Sequence, residues 1–150
     1  MITMQTTTDE QMGKVTTTLT VTNRIDQVNA ANGLISAERV RSVTLENVLV
    51  DTGATTLCLP PDIIAQLGLT PFKEIKVNTA LGASTTRVFR DVSISLLGRE
   101  GTFDCLEVST SKYSLLGVIP LEMLGIEIDL KNQRLIVLPD DSDDTYLTIL

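Results

Sequence analysis

The stretch "VLVDTGATTLCLPPDIIAQLGL" spans Val48–Leu69 and places one carboxylate, Asp51, at the end of an apolar run. Gly53 follows two residues later, and the chain then becomes apolar again. Two interpretations fit this pattern. One is a surface Asp-Thr-Gly turn in which the carboxylate caps local backbone groups. The other is a catalytic carboxylate held at the tip of a rigid core, and the rest of the sequence is needed to choose between them.

Length, composition and charge limit the classes of function. The chain has 150 residues, 43% of them hydrophobic, which predicts one globular domain with a well-buried core. A formal net charge of −7 and no basic cluster argue against nucleic acid or an anionic membrane as partner. No apolar run reaches membrane-spanning length, and the N-terminus lacks the apolar segment of a signal peptide. We therefore expect a cytoplasmic protein in which Cys58 and Cys105 are free thiols.

The sequence contains no histidine. This excludes Ser-His-Asp and Cys-His catalysis and removes the commonest metal ligand. No P-loop, CxxC pair or GxGxxG motif is present either. If the chain is an enzyme, carboxylates, a lysine or a thiol must carry the chemistry.

The periodicity is mostly that of β-strands with short turns, which predicts a barrel or sandwich. Strands are predicted at Lys14–Thr22, Arg41–Val50, Lys73–Thr79, Thr85–Leu97 and Thr102–Ser109, with a hairpin over Ile126–Leu138 turning at Lys131–Arg134. Helical turns are predicted within Asn23–Val40, stopping at Gly33, and a short helix at Pro60–Gly68. Further turns are expected at Ala80–Ser84 and Gly98–Gly101. The domain is placed at 14–139, between a flexible N-terminal segment 1–13 and an acidic linker with a last strand, 140–150.

A weak internal repeat is also visible. The unit around Asp51 continues into the helix "DIIAQLGL", and "LLG" at Leu115–Gly117 continues into "IPLEMLGI". Both units have the order strand, glycine turn, helix, Leu-Gly, aliphatic residue. We interpret them as two pseudo-symmetric halves, of which only one carries an aspartate.

Three segments together resemble the retropepsin-like aspartic proteases, the single-lobe family that includes retroviral proteases and bacterial relatives. "LVDTGAT" (Leu49–Thr55) matches the family's catalytic signature, and "SLLGVIPLEMLG" (Ser114–Gly125) resembles its second element. "TALGAST" (Thr79–Thr85) falls where the family places a glycine-tipped flap hairpin. The resemblance implies an all-β, closed barrel-like retropepsin fold with one or two short helices.

The resemblance also implies a mechanism. Asp51 would meet its copy from a second chain on a two-fold axis, so the active species would be a homodimer. Two carboxylates at that distance share one proton, and the pair activates a water that attacks a peptide bond. Thr52 would reach the other chain's loop through its hydroxyl, and Gly53 would adopt a backbone conformation that side chains disfavour. The implied catalytic residues are therefore Asp51, Thr52 and Gly53.

The same resemblance assigns the substrate contacts. An extended peptide or protein substrate would lie under a flap whose tip is Gly82, and Gly117 would support the catalytic loop from below. No metal and no cofactor are implied. The residues expected to line the substrate site are Leu49, Ala54, Cys58, Leu81, Gly82, Tyr113 and Leu115.

Two departures from the retroviral pattern are visible. Retroviral members usually pair an aspartate after the alanine with an arginine after the second glycine, whereas this chain has Thr55 and Val118. The segment Asn23–Val40 is also longer than in retroviral members. An aspartic endopeptidase is the first hypothesis. The alternatives are a catalytically weak or inactive module that dimerises or binds peptides, and a small β-barrel binding protein with a fortuitous Asp-Thr-Gly.

Overall fold

The computed structural model describes residues 15–109 and 113–139. The predictions for segments 1–13 and 140–150, including the last strand at Thr145–Leu150, lie outside these residues. Within the described part no helix is long and apolar enough to cross a membrane.

Seven strands form one ring-like sheet. The order is β1-β2-β7-β3-β6-β5-β4, and an additional pairing of β1 with β5 closes the ring, so that β4 extends outside it as one arm of a hairpin with β5. β8 and β9 form a separate two-stranded sheet. The fold is therefore mainly β, as predicted. The strands are β1 (Val15–Asn23), β2 (Ser42–Val50), β3 (Leu57–Leu59), β4 (Thr70–Thr79), β5 (Gly82–Leu96), β6 (Arg99–Glu107), β7 (Leu115–Leu116), β8 (Ile126–Asp129) and β9 (Arg134–Val137).

The ring encloses one hydrophobic core. Side chains alternate across each strand, so every second residue points inward. Leu19, Leu57 and Leu116 are fully buried there, and Leu121 of a helix packs onto the same cluster. At roughly 25 cal/mol per Å² of apolar surface, this burial is the main favourable term in folding.

The predicted internal repeat corresponds to an exchange of strands between the two halves. β2, which leads into Asp51, pairs in parallel with β7, and β6 pairs in parallel with β3, while β3 and β7 pair antiparallel. A seven-residue helix follows each short strand: α2 (Pro61–Leu67) after β3 and α3 (Val118–Leu124) after β7. Gly68 and Gly125 end these helices in the left-handed conformation. Each half therefore contributes a short strand that pairs with a longer strand of the other half, and the two short strands meet at the centre of the sheet.

The segment between β1 and β2 forms helix α1 (Arg24–Ala31) and a 3₁₀ turn (Ala37–Arg39). Asn23 caps α1 by accepting from the Asp26 backbone N–H (3.0 Å), and its side-chain amide donates to the Leu67 carbonyl (2.8 Å). Arg41 donates to both carboxylate oxygens of Asp26, at 2.8 and 3.1 Å, and its backbone N–H donates to the same group. The Asn23 amide therefore fastens the segment to the end of α2, and the Arg41 bonds join α1 to the residue before β2.

Two turns lie away from their predicted positions. The turn between β5 and β6 is Leu97–Gly98, both with positive φ (51° and 83°), and β6 begins at Arg99 within the predicted turn Gly98–Gly101. A two-residue turn of this type matches the strand twist, and so it shortens the connection. The tip of the β4–β5 hairpin is Ala80–Leu81, because Thr79 pairs with Gly82 as the first residue of β5. Gly82, with φ of 107°, therefore follows the tip and does not form it.

The Asp26–Arg41 pair gives the first prediction. Arg41 donates hydrogen bonds to the Asp26 carboxylate, which holds the pKa of that group below its ordinary value against the opposing effect of burial. A depressed folded-state pKa contributes stability above the unfolded-state pKa, and this contribution is lost as the pH falls through the folded-state pKa. Asp26→Asn should therefore lower the free energy of unfolding at pH 7, and the gap to wild type should narrow as the pH falls from about 5 through the folded-state pKa.

Urea denaturation at several pH values measures this gap. Arg41→Met and the double variant complete a cycle that isolates the coupling between the two side chains. A coupling that does not weaken as the solution is acidified would contradict the assignment.

Candidate active site

Asp51 follows directly after β2, at the point where β2, β3 and β7 meet. Its backbone N–H donates to the Leu116 carbonyl of β7 (3.0 Å), which fixes the end of the strand. Its carbonyl accepts from the Ala54 N–H (3.0 Å), and its Oδ1 accepts from the Gly53 N–H (2.8 Å). Asp51 is half-buried, whereas Thr52 and Gly53 are exposed. The carboxylate is thus oriented by backbone groups and remains open to solvent.

The loop after Asp51 is held by the N-terminus of α3. The N–H groups of Gly117, Val118 and Ile119 donate to the carbonyls of Thr56 (3.1 Å), Ala54 (3.1 Å) and Thr55 (2.9 Å). The first N–H groups of a helix have no partner within the helix, so the loop supplies the acceptors they need. These bonds join residues 54–56 to residues 117–119, the two segments that carry Thr55 and Val118 at the positions of the retroviral charge pair.

Gly117 is required at this contact for steric reasons. A Cβ at this position would lie 2.6 Å from the Ala54 carbonyl oxygen and from the Thr56 nitrogen, both backbone atoms. For Gly53 the expectation of an unusual backbone conformation is wrong, because its φ is not positive. A Cβ on Gly53 would lie 3.1 Å from Asp51 Oδ1, so the constraint there is crowding of the carboxylate.

Three of the predicted substrate residues lie side by side on the outer face of the sheet. Leu49 pairs with Leu115, and Leu115 pairs with Cys58. The row continues from Cys58 to Leu106 and from Leu106 to Val88. Because alternate residues share a face, this row lies opposite the core. Asp51, two residues after Leu49, extends toward the same side.

A pocket of about 240 Å³ opens at the end of this row, between the β4–β5 hairpin and strands β3 and β6. Cys58, Leu106, Val77 and Thr86 are among its lining residues. Glu107 borders it and is held by Arg87, which donates to both carboxylate oxygens at 2.9 and 2.6 Å. The floor is therefore apolar, and one wall is fixed by an ion pair.

The remaining predicted residues occupy different surroundings. Leu81 is 94% exposed at the hairpin tip and, like Gly82, does not line this pocket. Ala54 is half-buried in the loop below Asp51. Tyr113 is 60% exposed and borders a second pocket of about 250 Å³ together with Leu49. One described chain thus brings Leu49, Cys58 and Leu115 together and leaves Leu81 in solvent.

Neither thiol is set up as a nucleophile. Both cysteines are free, as expected. Burial raises the pKa of the Cys58 thiol to about 11, and the nearby Asp51 carboxylate contributes to the rise. Burial raises the pKa of the Cys105 thiol to about 12. A thiol that stays protonated at neutral pH is a poor nucleophile. The described residues also contain no group of three or more His, Cys, Asp or Glu that could hold a metal ion.

Leu106, Val88 and Thr86 belong to the cleft but were not predicted. Each lies in a strand whose periodicity is visible in the sequence. Their place beside Cys58 depends on the parallel pairing of β3 with β6, between residues about 48 positions apart. Local patterns carry no signal for such a pairing.

A sequence model of the family described as aspartyl protease matches residues 44–118. This range covers half of the chain and includes the Asp51 loop, the β4–β5 hairpin and Gly117. The chain belongs to the retropepsin-like aspartyl protease family. A search of the curated proteins gave no match. Membership explains why the loop, the hairpin and the second glycine occur together.

The steric role of Gly117 gives the second prediction. Gly117→Ala should lower the free energy of unfolding by roughly 2–3 kcal/mol, because the methyl group would displace backbone atoms of the catalytic loop. Urea denaturation measures the change. Gly101→Ala is the matched control, since the nearest atoms that its Cβ would meet belong to side chains, the Phe103 ring at 2.8 Å and Leu124 at 3.2 Å, and not to the backbone. Equal losses in the two variants would contradict a special role for position 117.

Proposed function

We propose that the protein is a homodimeric aspartic endopeptidase whose catalytic pair consists of Asp51 from each of two chains. The observation that carries this proposal is the Asp51 loop itself. A carboxylate held by a backbone N–H stands beside an apolar row, opposite a projecting hairpin, in a chain that belongs to an aspartyl protease family. The aspartic mechanism needs neither a histidine nor a thiolate, which agrees with a sequence without histidine and with the raised pKa of both thiols.

In the proposed mechanism one chain supplies half of the chemistry. Two Asp51 carboxylates on a two-fold axis repel each other when both are ionised, so the pair holds one proton. The ionised member takes a proton from a water molecule, which attacks the carbonyl carbon of the substrate peptide bond. The protonated member donates to the carbonyl oxygen as negative charge develops, and the pair then protonates the leaving amine.

The surface around Thr52 fits a second copy of the chain. Thr52 borders a shallow depression of about 290 Å³ that continues over α3 and β8. Ile119 and Met123 on α3 are 46% and 45% exposed. β8 and β9 pair only with each other among the described residues, so the outer edge of each offers backbone groups to another strand.

The hairpin itself contributes less apolar surface than its sequence suggests. Ile126 is buried in the core, and Ile128 and Leu135 pack against it, so these aliphatic residues are already covered within one chain. Ile136 and Val137 remain 37% and 39% exposed. We therefore assign more of the proposed interface to the loop, α3 and the strand edges than to hydrophobic contact by the hairpin.

The second candidate is a module that dimerises and binds peptides without useful turnover. Thr55 and Val118 stand where retroviral members have a charge pair. Because that pair contributes to the retroviral dimer, its absence here favours this second candidate. The two candidates differ in a single property. Both bind an extended peptide, and only the enzyme cleaves it.

Replacing Asp51 by Asn tests the proposed chemistry. Asparagine is nearly isosteric, and its Oδ1 can still accept from the Gly53 N–H, so the fold should be retained. Cleavage of a peptide library should fall by about four orders of magnitude, while the melting temperature stays equal or rises because carboxylate repulsion is lost. Asp104→Asn, on an exposed aspartate of β6, is the matched control and should keep activity. Retained cleavage by a purified Asp51→Asn protein would exclude the mechanism, and binding without cleavage by the wild type would favour the module.

Replacing Thr52 by Ala tests the proposed dimer contact. The Thr52 side chain is exposed and makes no hydrogen bond within the described part of the chain, so its loss should leave the monomer fold unchanged. The dissociation constant of the dimer, measured by analytical ultracentrifugation, should rise roughly ten-fold because two symmetric hydrogen bonds are removed. Thr55→Ala, also exposed in the same loop, should change it less than about two-fold. Equal effects of the two substitutions on the dissociation constant would contradict the assignment of Thr52 to the dimer contact.

A further inference from the structure

A groove of about 580 Å³ lies beyond the Asp51 cleft, between β2, the start of α2 and the residues next to β7. Asn47 and Tyr113 border both this groove and the pocket that contains Leu49. Leu49 belongs to the apolar row that leads toward Asp51, so the groove adjoins the end of this row. None of the predicted catalytic residues lies in the groove.

A bulge in β2 gives the groove its polar wall. Thr17 pairs with Val48 and Leu19 with Leu45, so one residue of β1, Thr18, lies opposite two of β2, Glu46 and Asn47. Asn47 takes a left-handed conformation with φ of 59°. Glu46 and Asn47 are consequently both exposed, where regular alternation would expose one of them.

The charges that the described residues contribute to the groove have one sign. Glu46 on β2 and Asp62 at the first turn of α2 are the charged side chains among the described residues that line it, and both are acidic. The three ion pairs of the described structure are Arg41–Asp26, Arg87–Glu107 and Arg134–Asp129, so neither groove carboxylate is neutralised by one of these cations. Carboxylates in this state attract a lysine or arginine side chain.

A buried hydroxyl in the groove also lacks a partner. Ser114 is only 9% exposed, and its side chain lines the groove without a hydrogen bond to any described residue. Its backbone carbonyl accepts from the Leu49 N–H (3.0 Å), which holds the residue between the groove and the cleft. Buried hydroxyl groups are normally hydrogen-bonded, so an unpartnered one facing a groove indicates a polar ligand group.

We propose that this groove binds a basic segment of the extended peptide substrate, outside the residues next to the scissile bond. Glu46 precedes Asp51 by five positions, which is roughly 15 Å along a strand. An extended peptide advances about 3.3 Å per residue, so the lysine or arginine would stand about four or five residues from the scissile bond. Ser114 would bond the peptide backbone between the two sites. The proposal rests on the peptidase function for its register and on the groove for its charge preference.

Two peptide libraries test the proposal. Both contain a random eight-residue core, with Lys-Lys directly on each side of the core in one library and Ser-Ser in the other, so that cleavage near the middle of the core places the flank about five residues from the scissile bond. Mass spectrometry of the products gives the cleavage rates. Wild type should cleave the lysine library about three- to ten-fold faster at low salt, since each exposed pair contributes modestly. The preference should shrink when the salt concentration is raised.

Substitutions of groove residues test whether the preference for the lysine library arises in the groove. Glu46→Gln/Asp62→Asn should abolish the preference while cleavage of the bare eight-residue cores stays at the wild-type rate. Glu38→Gln/Glu100→Gln removes the same charge from exposed residues outside the groove and should keep the preference. Ser114→Ala should leave the melting temperature unchanged or higher, because no hydrogen bond is lost, and should slow cleavage of both flanked libraries relative to the bare cores.

Binding to the Asp51→Asn protein separates this proposal from the peptidase function. Fluorescence anisotropy with the two labelled libraries reports the charge preference even if no library is cleaved. Tighter binding of the lysine library, lost in the groove double variant, supports the groove whatever the outcome for catalysis. Equal binding of the two libraries, or a preference that survives Glu46→Gln/Asp62→Asn, would overturn the proposal.

Discussion

The three hydrogen bonds from the N-terminus of α3 to residues 54–56 are the interaction on which the candidate site depends. They satisfy helix N–H groups that would otherwise lack partners, and they fix the loop that orients the Asp51 carboxylate. They also explain how the loop is held although Thr55 and Val118 cannot form an ion pair. Backbone hydrogen bonds carry no full charge and avoid the desolvation cost of a buried ion pair. Gly117 is the residue that makes this close approach possible.

The rest of the fold serves the same arrangement. Parallel pairing of β2 with β7 and of β6 with β3 brings two distant halves of the chain to one line at the centre of the sheet. The inner side of that line is core, and the outer side is the row from Leu49 to Val88. Closure of the ring through β1 and β5 keeps these strands in register, because a one-residue slip would exchange the two faces.

The sequence was sufficient to predict the β class, the short helices after each Leu-rich strand, and the family, since those features depend on local patterns such as proline before and glycine after α2. It was insufficient wherever a side chain's role depends on distant pairing. Leu106 reaches the cleft only through β3–β6 pairing, and Ile128 is covered only because the β8–β9 hairpin folds back on the core. The Gly53 prediction was wrong for a related reason: the requirement for glycine there comes from the position of a neighbouring carboxylate and not from its own φ angle.

The central claim is that catalysis requires Asp51 from both chains, and mixing wild type with Asp51→Asn protein tests it most directly. At constant total concentration, after the subunits have exchanged, only dimers with two wild-type chains would be active. The account predicts that an equal mixture retains about a quarter of the wild-type activity, following the square of the wild-type fraction. A monomer that supplies a complete site would retain about half, following the fraction itself. A linear dependence in a mixture shown to have exchanged would contradict the account.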